Sequence, residues 1–184
     1  MPARRPAGRY GTVAMSLHWG MAIVILLNLP GPLTVDKGAE DHARAAEAVF
    51  HASLGATILL LMLFRLGRRF THPVTRPRGL VGWEIALSSV LHNLLYLAVI
   101  AQCSLGLAMA VTHSGRLKLF WIFDLYSVGA ALPWSYRDIL PFHSAGMKIL
   151  MVLIGLHIAL MLFYFLTRPG SHVVRMLPKW MKSI

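Results

Sequence analysis

Nine histidines stand in the 184-residue chain, and five of them fall within or at the ends of long apolar stretches: His18, His51, His92, His143 and His157. An ionisable side chain in hydrocarbon is costly, so such residues usually face the interior of a helix bundle and serve a function there. His143 and His157 carry the most information. They are 14 residues apart in one apolar stretch. At about 3.6 residues per turn this is nearly four full turns, so both imidazoles leave one face of a helix; at about 1.5 Å per residue they stand roughly 21 Å apart along its axis. Two ligands so far apart cannot serve one zinc ion. They can serve two separate cofactors, one near each surface of a membrane. A planar macrocycle with an axial imidazole on each side suits this arrangement, and histidine is a standard axial ligand of haem iron. Haem also accounts for the lack of carboxylate or cysteine ligands. The other histidines, His42, His72, His113 and His172, lie in loops or the C-terminal tail and read as solvated or headgroup-facing.

Four apolar stretches must position these groups. They cover about 13–29, stopped by Pro30 and Pro32; about 48–66; about 85–111; and about 142–166, before Pro169 and Gly170. A spanning helix needs roughly 20 mostly apolar residues. All four are too long, and too rich in leucine, methionine and alanine, to be ordinary strands. The fold expected is all-α: an integral-membrane four-helix bundle, one domain over residues 1–184. Composition agrees, with 57% hydrophobic and 14% charged residues. A soluble domain has about 25% charged residues. Intrinsic disorder needs low hydrophobicity and is excluded. A disulfide scaffold is excluded because Cys103 is the single cysteine. The first stretch does not read as a signal peptide, since His18 and Trp19 interrupt its start and no small-residue cleavage site follows. No internal repeat or low-complexity segment is visible.

The formal charge of +11 raises the question of nucleic acid. The positions of the charges answer it. Twelve of the Lys and Arg residues, among them Arg65, Arg68 and Arg69, fall at the termini or the middle loop, and six fall on the other side: Lys37, Arg44, Arg116, Lys118, Arg137 and Lys148. That asymmetry places both termini in the cytoplasm. The basic residues act as topology determinants and headgroup contacts, and no nucleic-acid-binding pattern appears. The two outward loops run from about 30 to 47 and from about 112 to 141. In the second, Leu119-Phe120-Trp121-Ile122-Phe123 is apolar but too short to span, and is expected to lie at the interface.

Chain direction now sorts the histidines by depth. His51 and His143 share the outer level. His18, His92 and His157 share the inner level, three candidates for two axial positions. Gly55, Gly146 and Gly155 lie near these levels and could leave room for a porphyrin edge; close helix packing through small residues explains them equally. Cys103 reads as a small packing residue.

These residues resemble a known family. The Leu17-His18-Trp19 start, the His51-Ala52-Ser53-Leu54-Gly55 segment, the Arg65-Leu66-Gly67-Arg68 exit, Gly155-Leu156-His157 and the basic C-terminus with Met176-Leu177-Pro178 are similar in order and spacing to the bacterial cytochrome b561 family. Its members are four-helix dihaem proteins of the inner membrane. The resemblance covers nearly the whole chain. It implies two haem b groups, one held by His51 and His143 and the other by His18 and His157, with His92 outside the iron shell near the inner haem. It also implies ubiquinone as one partner, and superoxide as a donor oxidised at the outer face.

The residues lend this reading some physical support of their own. Filled axial positions favour electron transfer over ligand binding. No nucleophile–base triad, phosphate loop or dinucleotide fingerprint appears. Arg116, Lys118 and Arg137 in the outer loop, with Lys148 beside it, could steer a small anion, although headgroup binding explains the same charges. Lys148 is turned away from His143 and is expected to snorkel outward. Arg65, Arg68 and Arg69 are candidates for haem propionates. His92 and Tyr96, one turn apart, could serve a quinone pocket or proton delivery; a structural hydrogen bond or an alternative axial ligand are the competing readings of His92. Two other functions stay in view. One is a cytochrome b subunit relaying electrons for a partner dehydrogenase or hydrogenase. The other is a haem-free transporter or assembly factor.

Overall fold

The computed structural model describes residues 10–30, 41–72, 81–112, 117–124 and 133–167. Four helices carry the chain: α1 Thr12–Asn28, α2 Asp41–Thr71, α3 Gly82–Thr112 and α4 Tyr136–Thr167. A short antiparallel hairpin, β1 Lys118–Leu119 and β2 Phe123–Asp124, lies between α3 and α4. The last three helices are long and apolar enough to cross a membrane. α1 has 17 residues. At about 1.5 Å per residue it reaches about 25 Å, a little short of a hydrocarbon core of about 30 Å.

Three helix ends differ from those expected, because hydropathy marks the stretch that lipid covers and not where a helix stops. α2 begins at Asp41, seven residues before the apolar stretch, in a polar segment containing Arg44 and Glu47. It also continues to Thr71, where Arg68 and Arg69 in the last turn oppose the negative end of the helix dipole. α4 begins five residues before Pro141 and holds that proline inside it. Its start is fixed by a cap: Asp138 Oδ2 accepts from the Ser135 N–H at 2.8 Å and from the Ser135 hydroxyl at 2.7 Å. α3 uses a similar device, the Val81 N–H donating to Glu84 Oε2 at 2.9 Å.

α1 packs against α2, α2 against α3, and α3 most extensively against α4. The core is one cluster fed by all four helices: Met21, Ile58 and Met62, Val99, and Leu150. Leu150 stands seven residues from both His143 and His157. The apolar core therefore lies between the two histidine levels and separates them.

The hairpin completes the end of the bundle that carries His51 and His143. Its turn places Phe120 at φ 54° and Trp121 at φ 61°, and the Ile122 N–H donates to the Leu119 carbonyl at 3.1 Å. Left-handed backbone costs a non-glycine residue about 1–2 kcal/mol. The contact opposing that cost comes from α2: the Phe120 N–H donates to Ser53 Oγ at 2.7 Å. Ser53 is 4% exposed and its own hydroxyl donates to the Val49 carbonyl at 2.6 Å. Leu119 is buried against the bundle, whereas Phe120, Trp121, Ile122 and Phe123 are exposed. The segment expected at an interface is thus an aromatic loop pinned to the second helix.

Candidate functional site

At the hairpin end (named outer below, after the side expected from the charge distribution), the imidazoles of His51 on α2 and His143 on α4 face each other with centroids 6.3 Å apart and planes at 89°. At the other end, His18 on α1 and His157 on α4 do the same, at 6.3 Å and 78°. His92 on α3 lies beside His157 at only 5.2 Å. The histidines grouped by depth lie near one another at each end, and the structure orders the inner three by distance.

The orientation of the rings is set by backbone carbonyls. The Asn28 carbonyl accepts from His51 Nδ1–H at 3.2 Å. A carbonyl cannot donate, so Nδ1 carries the proton and Nε2 is left with its lone pair. The Ser88 carbonyl likewise accepts from His92 Nδ1–H at 2.6 Å. His143 is held differently, by the carboxamide of Gln102, whose Nε2 lies 3.3 Å from His143 Nε2 and donates to the His143 carbonyl at 3.0 Å.

A family model described as prokaryotic cytochrome b561 matches residues 9–179. The chain belongs to the prokaryotic cytochrome b561 family. Cytochrome b561 homolog 1 of Escherichia coli (strain K12) is 21% identical to it over 174 residues, covering 93% of this chain and 98% of that protein. Membership makes this a multi-pass membrane protein of haem-dependent electron transfer.

The residues present fit the haem b of a cytochrome b561. Two imidazoles on opposite sides of one iron have centroids about 6.3 Å apart, from a metal–nitrogen bond of about 2 Å and a ring radius just over 1 Å on each side. Both cross-bundle pairs have that separation, and the His92–His157 pair is about an ångström too close for it. At the outer level the pair borders a cavity of about 390 Å³ with walls such as Ile25, Ile58, Val99 and Met147, a volume within the ordinary range for ligand pockets. Three buried polar atoms of residues lining it have no hydrogen-bond partner among the described residues: Asn28 Oδ1, Gln102 Oε1 and His143 Nδ1. At the inner level, Gly20 and Gly155 have open space where a side chain would be.

The inner level also holds a half-buried cation. Arg65 Nε donates to the Tyr96 hydroxyl at 3.1 Å, while Arg65 Nη1 is buried with no partner among the described residues. Its charge acts on His18, His92 and His157. Arg69 lies over the Tyr96 ring, its Cζ 5.2 Å from the centroid. Of the three arginines expected there, two are thus gathered around Tyr96. Tyr96 is tied to these two arginines.

Other expected residues fall as follows. Lys118, Arg137 and Lys148 are exposed. Lys118 and Arg137 directly follow Leu117 and Tyr136, which line the outer cavity. Arg116 lies outside the described residues, as do His113 and His172; His72 is exposed beside Thr71 Oγ1. Gly55 lines the outer cavity; Cys103, read as a packing residue, packs against the core and borders the cavity as well. Gly146 is a correction: it does not border the cavity, and a Cβ there would collide with Gln102 Oε1. Its missing side chain makes room for an amide and not for a macrocycle. Sequence reasoning missed Gln102, Arg44 and Glu47. The signal for the first was a carboxamide deep in an apolar stretch. The other two precede His51 by seven and four residues, on its own face of α2.

Proposed function

We propose that His51 with His143 and His18 with His157 each hold one haem b, and that the chain carries electrons across a bacterial inner membrane, both termini cytoplasmic. Electrons enter from superoxide at the outer face and leave to ubiquinone. The observation that carries this reading is the equality of two cross-bundle histidine separations, each 6.3 Å. When bound, haem b supplies a one-electron carrier whose filled axial positions discourage binding of small ligands.

The chain's own residues do the rest. The Asn28 carbonyl keeps His51 Nε2 available as a ligand nitrogen. Met21, Ile58, Val99 and Leu150 keep water out of the interval between the two levels. Arg65 offers its unpartnered Nη1 to a propionate carboxylate. Lys118 and Arg137, with Arg116, surround the approach to the outer cavity and draw in a small anion. His92 and Tyr96 serve the quinone side. Ubiquinone takes up two electrons and two protons, so two superoxide ions are oxidised to dioxygen for each ubiquinol formed.

The test is pyridine haemochrome quantification on the purified chain, followed by stopped-flow mixing with superoxide and a ubiquinone analogue. Two haem b per chain are expected, with one lost in His143→Ala and the other in His157→Ala. Superoxide should reduce the haems, and quinone should reoxidise them. A colourless chain, or haem content unchanged in either variant, overturns the ligand assignment. Haems that superoxide does not reduce overturn the donor alone.

A further inference from the structure

We infer that Gln102 is the positioning residue of His143, and that Gly106 and Gly146 exist to admit the two side chains of this clamp. The inference rests on the proposal that His143 is a haem ligand. A carboxamide in the middle of a membrane bundle is costly unless it is satisfied, and Gln102 spends its donor on a single residue. Its Nε2 reaches both the backbone carbonyl of His143, at 3.0 Å, and the ring Nε2, at 3.3 Å. One amide therefore grips both the helix and the imidazole it carries.

The two glycines stand at the two points of contact. A Cβ on Gly106, one turn beyond Gln102 on α3, would lie 2.9 Å from His143 Cε1. A Cβ on Gly146, just under one turn beyond His143 on α4, would collide with Gln102 Oε1. Small residues usually let helices pack closely. Here the space they leave is filled by an imidazole and a carboxamide. The ring is thus seated between the backbone of Gly106 and the amide of Gln102. A metal on Nε2 takes the lone pair that the amide now faces. The bond to the carbonyl does not compete with a metal, and it holds the α4 backbone at His143 in either state.

The test uses the purified holoprotein in detergent. Haem transfer to apomyoglobin is followed over time, with both midpoint potentials and the low-spin ferric EPR signals measured alongside. His143→Ala and His157→Ala identify which signals belong to which level. Gln102→Leu keeps the volume and removes the hydrogen bond to the His143 carbonyl that survives metal binding, so it should release the outer haem about 2–10-fold faster, the weight of one ordinary hydrogen bond. It should also shift the outer potential and EPR signal and leave the inner ones in place. Gly106→Ala, which displaces the ring and keeps the amide, should move the same signals. It decides the matter if Gln102→Leu does not accumulate. Unchanged outer signals in these variants, or a change confined to the inner level, overturn the positioning role. If His143→Ala itself loses no haem, the ligand assignment has failed, and this role fails with it.

Discussion

Alanine replacements of His18 and of His92, made separately, test the choice of the second inner ligand. Both imidazoles border His157, at 6.3 Å and 5.2 Å between centroids. A shared iron needs about 6.3 Å. His18 already has that separation. His92 would have to withdraw by about an ångström, and its ring is held by a 2.6 Å hydrogen bond from Nδ1–H to the Ser88 carbonyl. A shift of that size would disturb the contacts of Nδ1 with Ser88, whose carbonyl stands at 2.6 Å and hydroxyl at 3.4 Å. Leaving a buried donor unpaired costs about 1–3 kcal/mol, a factor of roughly 5–150 in affinity. His18→Ala should therefore lower haem content from two per chain towards one, and His92→Ala should leave it at two. The assay is pyridine haemochrome against protein concentration, with the reduced-minus-oxidised spectrum as a check. The reverse outcome, one haem in His92→Ala and two in His18→Ala, would refute the distance argument.

Three further outcomes are expected. Arg65→Gln removes a half-buried cation beside the inner histidines; a nearby positive charge disfavours the oxidised state, so one midpoint potential should fall while the other holds, and a titration showing no change at either would exclude Arg65 from the inner site. Ser53→Ala deletes the acceptor of the Phe120 N–H, worth about 0.5–1.5 kcal/mol as an ordinary hydrogen bond; the hairpin should loosen and Trp121 become more open to an aqueous quencher, and unaltered quenching would show that the latch does not hold it. Joint neutralisation of Arg116, Lys118 and Arg137 should slow superoxide oxidation and flatten its dependence on ionic strength, whereas a rate and salt slope like those of the unaltered chain would remove the steering role.

Much of this architecture is written in the chain itself. The lengths of apolar sequence gave four helices, because lipid accepts only segments that satisfy their own backbone. The 14-residue interval put His143 and His157 on one face at two depths, since helical rise and turn are fixed by local geometry. Depth sorting grouped His51 with His143 and His18 and His92 with His157, the same groups that stand together in the structure, because antiparallel helices reverse direction at each loop. Helix ends were less legible: Ser135, Asp138 and Glu84 set them through hydrogen bonds that hydropathy does not register.

What only the tertiary structure decided is how the helices face one another. Sequence spacing gives the angle of a side chain about its own helix but not the angle between helices, which depends on packing at each seam. That is why His18, His92 and His157 could be grouped by depth but not ordered by distance until their separations were in hand, and why Gln102 drew no notice and the neighbour of Gly146 stayed open. The 6.3 Å pairs arise from the seating of four helices around Met21, Ile58, Val99 and Leu150, and that seating is a property of all the contacts together and of no single segment.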